Sequence, residues 1–252
     1  MPNKTPLKAP SKYENYGQYN TNPTPEQLLE HFHLNAEDLN LINTCRYTHT
    51  KLGMAVQLCT LRFLGTFLPD PTDVPAVVVA NLESQLGVEN VNFKRYRSFE
   101  DVRLEHRKRI RDHLGYRDFG EAESNQVFES LLTKLLLAEE NTGVLFDFIT
   151  NELVEQNIIL PGATTLQKLI TKAREQTNTR LYRQVAEKLS KTQVEKLERL
   201  LLVPKDQHRT RFEQLRAQPL HSSTSTLEQA LNRVEELRAI GISRIKLDDV
   251  AS

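Results

Sequence analysis

Residues 48–65 read THTKLGMAVQLCTLRFLG, and this stretch decides the fold class. Leu52, Val56, Cys59 and Phe63 recur at intervals of four, three and four residues, which places them on one stripe of an α-helix. Leu58, Leu61 and Leu64 widen the stripe, so the helix is expected to be buried around much of its circumference. It should begin near Thr48 or Thr50 and stop at Gly65, with Pro69 and Pro71 closing the element.

The same grammar extends in both directions. Upstream, Thr24 and Gln27 spell a capping box with Pro25 at the first helical position, and Asn35 with Asp38 repeats it, predicting two short helices. Downstream, Asp73 is the expected cap of a helix with Pro75 in its first turn, Leu82 and Leu86 inward, and Gly87 at its end. Ser98 and Asp101 should open a basic helix that runs to Leu114 and stops at Gly115, with Val102, Ile110 and Leu114 facing the core. Two apolar segments, one with Val127, Leu131 and Leu135 and one with Val144, Phe146, Ile149 and Val154, predict helices broken around Asn141 to Gly143.

Pro161 and Gly162 mark the clearest internal boundary. Beyond it, Thr164 and Gln167 read as a capping box for a long helix carrying Leu166, Ile170, Ala173, Leu181 and Val185. Ser190 and Gln193 cap the next helix, whose apolar set is Val194, Leu197, Leu200 and Leu201. Between Pro204 and Pro219 only Phe212 and Leu215 stand out as anchors. A last helix starts at Ser225 and Glu228, carries Leu231, Val234, Leu237 and Ile240, and halts at Gly241. Capped amphipathic helices throughout predict an all-α protein of two helical subdomains, residues 24–160 and 161–241, between a flexible arm (1–23) and a flexible tail (242–252). Tyr13, Tyr16 and Tyr19 of the arm have two readings: rings that stack on bases, or a partly anchored tail.

Composition narrows the function classes. No apolar run approaches the roughly 20 residues of a membrane span, and Met1 to Pro10 lack the apolar core of a secretory signal. Cys45 and Cys59, the latter inside an apolar helical pattern, are expected to stay reduced, which suits a cytoplasmic protein. The formal net charge of +0 conceals segregation: residues 121–160 hold eight acidic residues against one lysine, whereas residues 94–117 hold nine Lys/Arg against four acidic residues. Residues 172–216 add twelve basic against six acidic. Neutrality by cancellation leaves room for a basic binding face.

Arg103, Arg107 and Arg111 stand four apart on one side of the basic helix, with Lys108 beside them. Arg180 and Arg183 lie on the long helix and Lys191 follows the Ser190 turn, an order that also fits a helix-turn-helix element. Such groups would first attract and position phosphates, with one or two arginines free to read guanine edges. A charge run alone equally fits a solvated or protein-contacting face. Tyr96 and Tyr116 flank the first zone and either add a stacking contact or sit partly buried, while Phe93, Phe99 and Phe119 read as core anchors.

Catalytic signatures are weak. His31 and His33 are two apart and cannot form the i,i+4 pair of a metalloprotease helix, and His106 and His113 lack the companions of a zinc set. Glu139 and Glu140 are adjacent and point in different helical directions, and the nine glycines form no phosphate loop. No cofactor, metal or catalytic residue is assigned.

Leu52 to Gly65, with its leucine-glycine, glutamine-leucine-cysteine and arginine-aromatic steps, resembles a stretch near the start of Tn3-family transposases. The resemblance continues through Leu68-Pro69-Asp70-Pro71, Gln85-Leu86-Gly87, the Arg103 to Arg111 helix, Leu114-Gly115-Tyr116-Arg117, Ile159-Leu160-Pro161-Gly162, Leu181-Tyr182-Arg183 and Leu189 to Leu202. It covers the chain from about Thr24 to Ile240. What it implies is a region that recognises the terminal inverted repeats of a replicative transposon in double-stranded DNA. In that family the catalytic acidic triad and its two magnesium ions belong to separate downstream parts, so the resemblance implies end binding without cutting, with a transposase as a further partner. The competing expectation is a helical protein-interaction or regulatory module of a mobile element, including a non-functional transposase fragment.

Overall fold

The computed structural model describes residues 16–89, 91–137, 140–205, 207–217 and 224–241. Tyr13, Glu139 and the predicted tail lie outside them. The described chain is all-α: α1 (Pro25–His31), α2 (Ala36–Asn43), α3 (Thr48–Leu64), α4 (Ala76–Leu86), α5 (Glu100–Leu114), α6 (Glu121–Leu137), α7 (Thr142–Glu155), α8 (Ala163–Glu187), α9 (Lys191–Leu200), α10 (Arg211–Arg216) and α11 (Thr224–Ile240), with a 3-10 turn at Phe93–Ser98. One isolated parallel bridge, Arg117 with Ile158, is the sheet-like pairing found among the described residues. No helix among them is long and apolar enough to cross a membrane.

Two compact units divide between Arg174 and Glu175, within α8, and the Pro161–Gly162 break lies inside the first. That unit contains two cores. The first is built around α3, whose residues from Leu52 to Leu61 are all buried. Phe32, Ile42, Val78, Leu82, Tyr96 and Ile110 close over it from the C-cap of α1, α2, α4, the 3-10 turn and α5. Each fully buried leucine here contributes roughly 2 kcal/mol. Gly53 is required by a close approach: a Cβ would stand 2.5 Å from three atoms of the Tyr96 ring. Tyr96 is therefore a core residue with no exposure, and the surface-contact reading of that side chain is corrected.

The second core joins Val127 and Leu131 of α6, Leu145, Phe146, Ile149 and Leu153 of α7, and Leu166, Ile170 and Ala173 of α8. It is tied to the first at the end of α3. Gly65 adopts φ +71 as the left-handed cap, and its carbonyl accepts the Leu160 N–H at 2.9 Å, while Thr66 Oγ1 donates to the Leu160 carbonyl at 3.1 Å. A Cβ at Gly65 would meet Leu160 at 3.0 Å, so both the backbone angle and the space select glycine. Tyr16 packs edge-on against Phe146 at 5.0 Å and Tyr19 hydrogen-bonds Thr60 at 2.9 Å, so these two rings of the expected arm belong to the cores.

Several local expectations need correction. Asp73 does not cap α4; Pro75 stands at that position with no side-chain cap. Ser98 ends the 3-10 turn and Phe99, without a side-chain cap, precedes α5. Helix α8 starts at Ala163, which places Thr164 inside its first turn. The capping boxes at Thr24, Asn35 and Ser190 form as predicted, and another at Thr210 with Glu213 starts α10 in a segment with no apolar periodicity.

The second unit packs α9 against α10 and α11. Gln193 donates to the Gly241 carbonyl at 2.9 Å and Lys196 to the Ala239 carbonyl at 2.6 Å, joining α9 to the C-terminal end of α11. Arg211 clasps Glu236 between α10 and α11. Leu200 and Ile240 are buried, but Leu201, Leu231 and Phe212, expected to face a core, are 64%, 56% and 43% exposed.

Candidate nucleic-acid interface

Helix α5 is held by two polar networks that begin in its neighbours. Asp38, fully buried at the start of α2, accepts from Arg62 of α3 at 2.7 and 2.9 Å, from the His113 ring at 2.9 Å and from the Asn35 N–H at 3.0 Å. Burial pushes its carboxyl up, but the Arg62 and His113 hydrogen bonds outweigh it and hold the group below the ordinary aspartate range.

The second network runs through the first core. Arg107 Nε donates to Gln57 Oε1 at 3.2 Å, Gln57 Nε2 donates to the Tyr96 hydroxyl, and that hydroxyl meets His106 Nδ1 at 2.7 Å. Because the tyrosine oxygen already accepts from Gln57, its proton goes to Nδ1, which assigns the His106 proton to Nε2, facing Cys45 Sγ at 3.5 Å. Burial, then the Arg109 charge, pushes His106 down to about 4, in keeping with this neutral accepting tautomer.

The arginines predicted as a phosphate comb on α5 mostly turn back onto the fold. Arg107 donates to the Leu68 carbonyl at 2.6 Å and lies over the Phe67 ring at 5.4 Å; burial, then the Arg103 charge, lowers its pKa. Arg103 reaches the Pro69 carbonyl at 3.4 Å. Arg109 donates to Thr44, and Arg111 pairs with Asp118 and Asp112. Lys108 is exposed with no hydrogen bond or ion pair among the described residues.

In the second unit, the three candidates remain open. Arg180 and Arg183 are three residues apart on α8 and exposed. The Ser190 capping box fixes the start of α9 and puts Lys191, also exposed, at its first position. None of the three has a hydrogen bond or ion pair among the described residues.

One feature near the start of α3 was missed. Tyr47 stacks on His49 (5.6 Å, 15°) and His49 on Phe99 (5.4 Å, 28°), with Arg46 over Tyr47 at 5.4 Å and Arg95 over Phe99 at 5.8 Å. Arg46-Tyr47 is visible in the sequence as a basic-aromatic pair, but its union with Phe99 is a tertiary contact with no local signal. Phe99, expected as a core anchor, is half-buried in this ladder.

With this architecture in place, comparison with known proteins identifies its class. The chain belongs to the DUF4158 family, described as a domain of unknown function, whose family model matches residues 9–173. It is similar to the transposase for transposon gamma-delta of Escherichia coli K12, with 38% identity over 234 residues. It also resembles the transposase for transposon Tn1546 of Enterococcus faecium (28% over 228 residues) and that for Tn21 of Escherichia coli (29% over 227). These matches take in 92%, 89% and 87% of the chain and 23% of each relative's length. The resemblance to Tn3-family transposases thus holds across nearly the whole sequence.

Proposed function

We propose that the chain binds duplex DNA at the ends of a transposable element, on terminal inverted repeats, and does not itself cut or join strands. The observation that carries this reading is the long similarity to transposases combined with exposed, unpaired cations at Lys108, Arg180, Arg183 and Lys191. Their donors face solvent and can exchange water and counterions for phosphate oxygens. Titration of the folded chain with its element's terminal repeat and with a scrambled duplex, at several salt concentrations, tests the reading. Tighter binding to the repeat with a steep salt dependence is expected; no binding to either duplex would refute it.

A second reading is favoured by apolar surface in the second unit, where Leu202, Leu227 and Val203 are 64%, 62% and 54% exposed. A transposase chain is the proposed occupant, since the matched relatives carry about three-quarters of their length outside the matched region. Co-sedimentation of the chain with a full-length transposase of its element, abolished by Leu227→Ser with Leu231→Ser, is the expected result.

A further inference from the structure

We propose that the Arg46–Tyr47–His49–Phe99–Arg95 ladder is a second duplex contact, gripping the sugar-phosphate backbone in a sequence-independent way. It rests on the DNA-binding reading above but uses residues outside the predicted set. Arg46, Arg95 and Tyr47 are all exposed, Tyr47 by more than half. Neither guanidinium has a hydrogen bond or ion pair among the described residues. Each is positioned instead by the face of a ring, and the rings are positioned by each other.

That mode of positioning matters chemically. A cation held over a π-face keeps its N–H donors free, because those donors lie in the guanidinium plane and the ring attracts the charge. The arginines of α5 are held by hydrogen bonds to carbonyls and carboxylates, which occupy the same donors a phosphate would use. Arg46 and Arg95 are therefore partly ordered before any ligand arrives and have their donors unoccupied, a combination that lowers the entropic cost of binding an anion. Planar guanidinium also matches paired phosphate oxygens better than an ammonium does.

The partner is a backbone rather than a base. Tyr47, His49 and Phe99 face one another, so the stack offers no vacant slot between its rings for an inserted base. Exposed Lys94 adds charge on the same 3-10 turn, whereas Arg97 is engaged by Asp70 at 3.0 Å. Glu100 and Asp101 follow at the first turn of α5, where the helix dipole offsets their charge.

The test is a salt-dependent titration of the full chain carrying Arg46→Gln with Arg95→Gln, against both the terminal-repeat duplex and a scrambled duplex. Affinity should fall roughly tenfold for both, and the slope of log K against log salt should become shallower by about two. Arg46→Lys with Arg95→Lys should weaken binding yet keep the slope, because charge survives and the planar stack does not. A glutamine variant that melts lower but binds with wild-type affinity and slope would show a mere staple between the 3-10 turn and α3, and would overturn the proposal alone. Wild-type protein that binds neither duplex would overturn this proposal and the DNA reading together.

Discussion

On α5, Arg103, Arg107, Arg109 and Arg111 reach back to Pro69, Leu68, Thr44 and Asp118, whereas Arg180 and Arg183 on the later part of α8 extend into solvent. Both helices advertise themselves in sequence as basic and amphipathic. What separates them is the neighbourhood: α5 lies against α3 and the 67–69 segment, which offer carbonyls and ring faces within an arginine's reach. A guanidinium brought next to a half-buried carbonyl satisfies both groups, so a crowded basic helix becomes an internal brace. A basic helix without such neighbours keeps its charge available to a ligand.

The bracing of α5 depends most heavily on Asp38. Asp38→Ala would leave Arg62 and His113 without their shared buried carboxylate, at a cost of about 3–5 kcal/mol in chemical denaturation. A slightly smaller effect should come from acid. An unfolded histidine titrates near 6.5 and the folded His106 near 4, so this group's contribution is complete above pH 6.5 and is lost as pH falls from 6.5 to 4. The loss should be on the order of 3 kcal/mol, and His106→Asn, which keeps an acceptor for Tyr96, should flatten the curve in that window. Asp38 contributes in the opposite sense of charge and at lower pH, losing stability below the ordinary aspartate range.

Next in size is Arg107→Gln, expected to cost about 2 kcal/mol because the Leu68 carbonyl and Gln57 lose a charged donor. Arg183→Gln should change the melting midpoint negligibly, being a surface substitution within about 0.5 kcal/mol. Leu231→Ser sits at the same end of the scale, since its side chain is 56% exposed, in contrast to Leu58 or Leu61 of α3, where truncation should cost about 3 kcal/mol.

Much of this was legible beforehand, and the parts that were not share a cause. The α3 stripe and the Thr24, Asn35 and Ser190 boxes depend on residues within a few positions of one another, so spacing alone reveals them. Arg107 finds Gln57 and Leu68 at separations of 50 and 39 residues, and no periodicity encodes such a meeting. His106 occupies the inward register between Val102 and Ile110, a position that could have marked it as buried, yet its partners Tyr96 and Cys45 come from other elements. Helix α11 shows the opposite limit: Leu227, Leu231 and Val234 declare an apolar face without saying what covers it.

The most direct test measures the salt slope of duplex binding for two sets of variants side by side. Arg180→Gln, Arg183→Gln and Lys191→Gln combined should make the slope shallower by about three and leave the folding midpoint in place. Arg103→Gln with Arg107→Gln should lower the midpoint and leave the slope of the still-folded protein as it was. A triple variant that keeps the wild-type slope would contradict the account, because the open cations would then be bystanders.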